Sequence, residues 1–177
     1  MKSAPNIISL FRICLAPFFA IVYLSEERDV KYWAIMVYVV ATVSDFLDGY
    51  IARKYNASSN LGKILDPLGD KLMTTTVMAC IMLDGLIPAW AVIVAVSKEI
   101  LMAAAGFLVL SKSDEVPPSN IIGKTSTVVF FVACVALMLF KDISRRGATV
   151  LISVAIVLTI IALLSYLKTL FYKAWAQ

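Results

Sequence analysis

Histidine is absent from the 177-residue chain, which excludes imidazole catalysis and most zinc and iron sites. The three cysteines, Cys14, Cys80 and Cys134, lie far apart and form no CxxC spacing. We therefore expect small buried side chains at these positions rather than a disulfide or a metal site. Any metal bound by this chain must prefer oxygen ligands, as Mg2+ and Mn2+ do.

Charged residues are also scarce. They make up 16% of the chain, whereas soluble domains contain about a quarter. Hydrophobic residues account for 61%, and the mean hydropathy is +0.89. The net charge of +4 comes without a basic run or an interleaving of basic and aromatic residues, so no nucleic-acid partner is expected. This composition is typical of a protein that resides in lipid.

Long apolar stretches occupy nearly the whole chain. A membrane-spanning helix needs about 20 apolar residues. Six stretches approach this length: 7–25, 31–52, 66–84, 87–110, 121–140 and 147–170. The sequence therefore predicts an all-α polytopic membrane protein, a single domain over residues 1–177 formed by a bundle of six transmembrane helices.

Turn-forming sequences separate these stretches. Asp84-Gly85 followed by Pro88 predicts a tight turn after the third stretch. The polar segment 111–120 contains two consecutive prolines, which cannot continue a helix. Arg145-Arg146-Gly147 is expected to close the fifth span.

The distribution of basic residues predicts an orientation. Arg12 and Pro17 interrupt the first stretch and no cleavage site follows it, so we expect a retained span. With six spans and both termini cytoplasmic, eleven of the sixteen Lys and Arg residues fall on the inside, as the positive-inside rule favours. The loop Lys141–Arg146 opposes this assignment. We expect a bacterial plasma-membrane protein with both termini in the cytoplasm.

Four aspartates, Asp45, Asp48, Asp66 and Asp70, lie within 26 residues. A carboxylate at membrane depth costs roughly 2.5–3.5 kcal/mol, and a divalent cation is its natural compensation because hard cations bind several anionic oxygens. On helices, each pair shares one face, at spacings of three and four residues. Two antiparallel helices joined by a short loop would bring both pairs together near the cytoplasmic membrane surface.

Small and basic residues accompany the aspartates. Gly49 lets a ligand or a neighbouring helix approach the backbone closely, and Ala52 keeps the helix contact small. Arg53 lies on the aspartate face, and its guanidinium suits a phosphate. Gly62 precedes Asp66 by one turn. Carboxylates, bound cations and an arginine are the equipment for a metal-assisted displacement at phosphorus.

A structural ion pair and a transporter are the two alternative interpretations of the aspartates. A structural ion pair is disfavoured because four aspartates outnumber the nearby cations Arg53, Lys63 and Lys71. A cation- or proton-coupled transporter would distribute acidic groups over several spans. We expect the first, fourth, fifth and sixth spans to lack a central acidic residue, which makes transport the weaker interpretation.

The eight positions form one pattern: Asp45-x2-Asp48-Gly49-x2-Ala52-Arg53-x8-Gly62-x3-Asp66-x3-Asp70. At every position this pattern resembles the signature of the CDP-alcohol phosphotransferase family. The resemblance implies a six-span enzyme of phospholipid synthesis in which the aspartates bind two divalent ions, Mg2+ or Mn2+. It also implies CDP-diacylglycerol as the donor, an alcohol that attacks the lipid-side phosphorus, CMP as the leaving group, and a homodimer.

Carried over by position, the resemblance implies that Asp45, Asp48 and Asp66 are metal ligands. Asp70 corresponds to the general base that takes the alcohol proton, and to a further metal ligand. The donor-binding residues that the resemblance implies are Asn6, Gly49, Ala52, Arg53, Ser59 and Gly62.

Two further segments carry the resemblance beyond the aspartates. The opening Pro5-Asn6-x2-Ser9-x2-Arg12 is similar to the P-N-x2-[ST]-x2-R of phosphatidylglycerophosphate synthases and related cardiolipin synthases. Gly123-Lys124-x2-Thr127 is similar to the G-K-x-K-T of the former group, where basic residues hold the acceptor phosphate. The acceptor-binding residues implied are Lys98, Lys124 and Thr127.

The acceptor region departs from that pattern twice. Ser126 stands in place of the second lysine, and Ser97-Lys98-Glu99 stands where A-R-E or A-R-D is usual. Lys98 and Lys124 are also compatible with a simpler role as lysines at span ends, whose ammonium groups reach the interface.

The resemblance implies transfer of a phosphatidyl group from CDP-diacylglycerol to sn-glycerol 3-phosphate, giving phosphatidylglycerophosphate and CMP. The lipid tails would enter between helices, and the acceptor would arrive from the cytoplasm. Phosphatidylglycerol, as in a cardiolipin synthase, or inositol remains open as the acceptor.

Overall fold

All regular structure in the described part of the computed structural model is helical. The helices are α1 (Ala4–Tyr23), α2 (Val30–Tyr55), α3 (Gly62–Leu83), α4 (Ala89–Leu110), α5 (Ile121–Leu139) and α6 (Arg145–Trp175). The residues described are 4–25, 30–55, 62–110, 121–140 and 142–175. Their side chains are described over 9–25, 30, 32–45, 68–105, 121–140 and 142–169. The all-α prediction is confirmed, and each predicted apolar stretch coincides with one helix.

The predicted turn between α3 and α4 is confirmed. Gly85 has a φ of 75°, a left-handed conformation that glycine adopts without steric cost. The carbonyl of Pro88 then accepts a hydrogen bond from the Ala91 N–H at 3.0 Å, in the first turn of α4.

The prediction that Arg145-Arg146-Gly147 closes the fifth span is wrong, because α5 ends at Leu139 and α6 begins at Arg145. Ser144 is the N-cap of α6. Its Oγ accepts a hydrogen bond from the Gly147 N–H at 3.1 Å, and its carbonyl accepts one from the Ala148 N–H at 2.9 Å. Serine is a strong N-cap residue because its hydroxyl satisfies an otherwise unpaired helix N–H.

Two helices in the described residues are long and apolar enough to cross a membrane, over Ile121–Leu139 and Arg145–Thr169. Shorter apolar helical segments cover Ser9–Tyr23 and Tyr32–Asp45. Large apolar side chains are exposed on every helix, up to 78% for Ile121. The number of six transmembrane helices therefore stays a prediction. The exposed apolar surface is of the kind that lipid covers.

The helices form two compact units, Met1–Leu83 and Asp84–Gln177. In the first unit, α1 packs against α2 and α3, and α2 also contacts α3. Its core includes Phe19, whose ring centroid lies 5.5 Å from that of Tyr23 and 6.2 Å from that of Tyr38. In the second unit, α6 packs against α4 and α5. The single-domain prediction is not tested by these contacts.

The expectation of buried cysteines is confirmed for Cys80 and Cys134 and is wrong for Cys14, which is exposed. Helical periodicity explains the exception, since Cys14 falls between positions of α1 that face its neighbours. The buried positions of α1 are Ser9, Arg12, Ala16, Phe19 and Tyr23.

Candidate active site

Two helices carry the aspartate pattern, as its spacing predicts. The segment from Asp45 to Arg53 lies entirely within α2, and Asp66 and Asp70 lie within α3. Gly62 is the first residue of α3, so only residues 56–61 connect the two helices. The helical faces expected for the two aspartate pairs are therefore present.

Several predicted site residues fall outside the described set. The structure gives the backbone but not the side-chain environment of seven of them: Asn6, Asp48, Gly49, Ala52, Arg53, Gly62 and Asp66. Ser59 is not among the described residues at all. The roles implied for these residues stay predictions. The described site residues are Asp45, Asp70, Lys98, Lys124 and Thr127.

A buried arginine on α1 meets the first aspartate of the pattern. Arg12 Nη1 lies 2.6 Å from Asp45 Oδ1, and the two side chains are 2% and 47% exposed. The contact is an ion pair, and among the described residues the three guanidinium nitrogens have no hydrogen-bond partner. Burying a cation is costly unless an anion compensates it, and Asp45 supplies that anion.

Close packing of α1 on α3 sets the position of Arg12. A Cβ atom placed on Gly69 would lie 3.3 Å from the carbonyl oxygen of Ser9 and 3.7 Å from the Cβ of Arg12. Glycine permits the two helices to approach this closely. Asp70 directly follows Gly69, so this close contact between α1 and α3 lies beside the second described aspartate.

A lysine on α3 links the two described aspartates. Lys71 interacts electrostatically with the carboxylates of Asp70 and Asp45, and α2 and α3 are in contact. Lys71 therefore lies near one member of each aspartate pair, and the predicted meeting of all four carboxylates stays a prediction. Two carboxylates and two cations, Arg12 and Lys71, meet where the three helices of the first unit pack together.

The site prediction missed Arg12, although the sequence contained a signal for it. A cation inside an apolar helix needs an anionic partner, and the four aspartates are acidic residues that could supply it. Arg12 also changes the comparison between aspartates and nearby cations, because it raises the number of nearby cations from three to four. The number of aspartates alone therefore does not separate a metal site from a set of ion pairs.

The donor set nevertheless fits an oxygen-preferring cation. Asp45 is nearly half exposed, so its carboxylate is accessible, and the chain contains no histidine. Among the residues that the structure describes, no three His, Cys, Asp or Glu side chains cluster. Two of the four predicted ligands, Asp48 and Asp66, lie outside that set.

In the second unit, the first turns of α5 carry two of the three predicted acceptor residues, Lys124 and Thr127. Lys124 is exposed, and Thr127 Oγ1 donates a hydrogen bond to the Gly123 carbonyl at 3.0 Å. Ser126 is buried and its Oγ donates to the same carbonyl at 2.9 Å. A lysine at position 126 would start from this buried position, where a charge without a partner is costly.

Lys98 forms an ion pair with Glu99, and both side chains are largely buried, at 15% and 20% exposure. They are the tenth and eleventh residues of the 22-residue α4. The interpretation of Lys98 as a span-end lysine is therefore wrong. The expectation that the fourth span lacks a central acidic residue is also wrong, so that expectation no longer counts against transport.

Comparison with known proteins places these residues in a family. The model of the CDP-alcohol phosphatidyltransferase family matches residues 2–169. The chain is 35% identical to the CDP-diacylglycerol–glycerol-3-phosphate 3-phosphatidyltransferase of Bacillus subtilis (strain 168), over 99% of the chain and 96% of the relative. It is 32% identical to the protein of the same name from Escherichia coli (strain K12), over 93% and 92%.

A cardiolipin synthase (CMP-forming) from Streptomyces coelicolor is 30% identical, over 70% of the chain and 59% of that relative. The family match includes α1 with Arg12, the aspartate helices α2 and α3, and the second unit with Lys98 and Lys124. The chain therefore belongs to the CDP-alcohol phosphatidyltransferase family.

Proposed function

We propose that the protein transfers the phosphatidyl group of CDP-diacylglycerol to sn-glycerol 3-phosphate, giving phosphatidylglycerophosphate and CMP. The similarity to the Bacillus subtilis and Escherichia coli relatives carries this proposal, because it extends over more than 90% of both chains in each case. The Streptomyces coelicolor cardiolipin synthase is matched over 59% of its length, so phosphatidylglycerol is the second candidate acceptor. Membership of a transferase family gives no support to transport.

The four aspartates are the residues that would hold the metal: Asp45, Asp48, Asp66 and Asp70. Carboxylate oxygens are the ligands that Mg2+ and Mn2+ prefer, and two ions would match the number of carboxylates. Bound divalent ions would neutralise the pyrophosphate of the donor and stabilise the negative charge on the departing CMP.

The chain's own residues would bind the donor and move the proton. Arg53 and Gly49 contact the cytidine diphosphate, together with Asn6, Ala52, Ser59 and Gly62. Asp70 accepts the proton of the acceptor hydroxyl as its oxygen bonds to the lipid-side phosphorus. The bond from that phosphorus to the CMP oxygen breaks, and CMP leaves with the electron pair.

The membrane context of this reaction is part of the proposal. Six helices would span a bacterial plasma membrane with both termini cytoplasmic, and the protein would be a homodimer. The exposed apolar side chains on all six helices support the membrane location, because they would contact lipid. Diacylglycerol chains would enter between helices, while glycerol 3-phosphate would reach the aspartates from the cytoplasm.

Neutralising Lys124 tests how the acceptor is recognised. We expect Lys124→Gln to raise the KM for glycerol 3-phosphate by about 10- to 100-fold, because a hydrogen bond to a charged group contributes about 1.5–3 kcal/mol. The KM for CDP-diacylglycerol should change little. The measurement is steady-state CMP release with each substrate varied in turn.

Lys168→Gln is the matched control, since Lys168 is also an exposed lysine of the second unit and has no proposed contact with a substrate. An unchanged KM for glycerol 3-phosphate in Lys124→Gln would remove Lys124 from the acceptor site. It would also favour an acceptor without a free phosphate monoester.

The product identifies the reaction. Purified protein would be incubated with CDP-diacylglycerol, Mg2+ and radiolabelled glycerol 3-phosphate, and the organic phase would be analysed by chromatography. We expect label in a lipid that migrates as phosphatidylglycerophosphate. Formation of cardiolipin from added phosphatidylglycerol, with no label in lipid from glycerol 3-phosphate, would contradict the proposed acceptor.

A further inference from the structure

We propose that Arg12 is a positioning residue that orients the Asp45 carboxylate for cation binding. The proposal rests on the proposed function in one respect, that the aspartates bind a divalent ion. It adds a buried residue of α1 to a metal site whose aspartates lie on α2 and α3.

Burial shows that Arg12 acts through Asp45 rather than on a substrate. Its side chain is 2% exposed, whereas that of Asp45 is 47% exposed. A substrate or ion arriving from solvent can therefore reach the carboxylate, while protein encloses the guanidinium. Arg12 Nη1 lies 2.6 Å from Asp45 Oδ1, so the enclosed cation contacts the accessible group directly.

Helix packing fixes the position of the guanidinium. Ser9 and Arg12 are three residues apart on α1 and are both buried, so they share the face that meets the neighbouring helices. The Ser9 carbonyl and the Arg12 Cβ both lie close to Gly69 of α3. The arginine on α1 is thus anchored against one aspartate helix while it pairs with the other.

Such an arrangement restricts the rotation of a ligating carboxylate. Groups that hold metal ligands in place contribute to metal affinity, and their loss weakens binding by about 10- to 100-fold. If Arg12 only balanced charge, its removal would have the opposite effect. The site would become more negative and would bind a cation more tightly. The two roles therefore predict changes of opposite sign.

The test is a Mn2+ titration of the substrate-free protein in detergent, followed by electron paramagnetic resonance. We expect Arg12→Met to raise the Kd for Mn2+ by about 10- to 100-fold. Arg12→Lys keeps the charge but loses the planar guanidinium, and should also weaken binding. Arg146→Met, an exposed arginine of the second unit, removes the same charge elsewhere and should leave the Kd unchanged.

Melting temperatures measured without metal show whether each variant is folded. If Arg12→Met does not fold, the charge-conserving Arg12→Lys decides the question. Unchanged or tighter Mn2+ binding in a folded Arg12 variant would overturn the positioning role. In turnover, the positioning role predicts a lower kcat that excess metal partly restores, whereas a defect in packing alone would not respond to metal.

Wild-type protein and Asp45→Asn separate this proposal from the proposed function. Mn2+ binding by the wild type that is lost in Asp45→Asn establishes the metal site, and the Arg12 variants then test positioning alone. A wild-type protein that binds no Mn2+ would contradict the metal site and overturn the role of Arg12 with it.

Discussion

Replacing Asp70 by asparagine is expected to abolish phosphatidyl transfer while largely preserving donor binding. An amide cannot take the proton of the acceptor hydroxyl, and general base catalysis contributes about 10²- to 10⁴-fold to such reactions. The kcat for CMP release should fall by about that factor. Binding of CDP-diacylglycerol, measured with a fluorescent analogue, should change little because the other donor contacts remain.

Asp84→Asn is the matched control for Asp70→Asn. Asp84 immediately follows α3 and is exposed, so the same substitution there should leave kcat unchanged. Mn2+ affinity of Asp70→Asn separates its two implied roles, since a base alone leaves the affinity intact whereas a ligand does not. Full activity of Asp70→Asn would show that another group accepts the proton.

The second large effect concerns the free energy of unfolding. Asp45→Asn is expected to destabilise the protein by about 3 kcal/mol, the lower end of the cost of breaking a buried ion pair, because only the cation of this pair is fully buried. The charge left behind is Arg12, whose side chain is 2% exposed. Arg12→Met should cost less, since it leaves a carboxylate that is 47% exposed and can be hydrated.

The double variant Arg12→Met/Asp45→Asn distinguishes this explanation from a loss of packing. It removes both charges, so it should be more stable than Asp45→Asn alone. Thermal unfolding in detergent with a chelator present measures all four proteins under the same conditions. A double variant as destabilised as the sum of the two single changes would show that the ion pair does not couple them.

The helices and the placement of the aspartates could be predicted because both follow from local patterns. Apolar stretches of about 20 residues correspond to helices, and the spacing of Asp45 to Asp70 places the pattern on α2 and α3. The Asp84-Gly85 turn depends on the backbone freedom of a single glycine. Each of these features is determined by residues that are close together in the sequence.

The contact between Arg12 and Asp45 could not be predicted in this way. Arg12 and Asp45 are 33 positions apart, and their contact depends on how α1 and α2 pack against each other. Hydropathy treats Arg12 as an interruption of an apolar stretch, although its burial makes it part of the site. The predicted sixth span begins at residue 147, two residues after the observed start of α6 at Arg145, because Ser144 caps the helix there.

CMP release tests the central claim most directly. Purified protein would be supplied with CDP-diacylglycerol and Mg2+, with glycerol 3-phosphate, phosphatidylglycerol and inositol offered in parallel, each with and without a chelator. We expect rapid metal-dependent CMP release with glycerol 3-phosphate only. Release with another acceptor alone would keep the reaction class but contradict the proposed substrate, and no release with any acceptor would contradict the proposed activity.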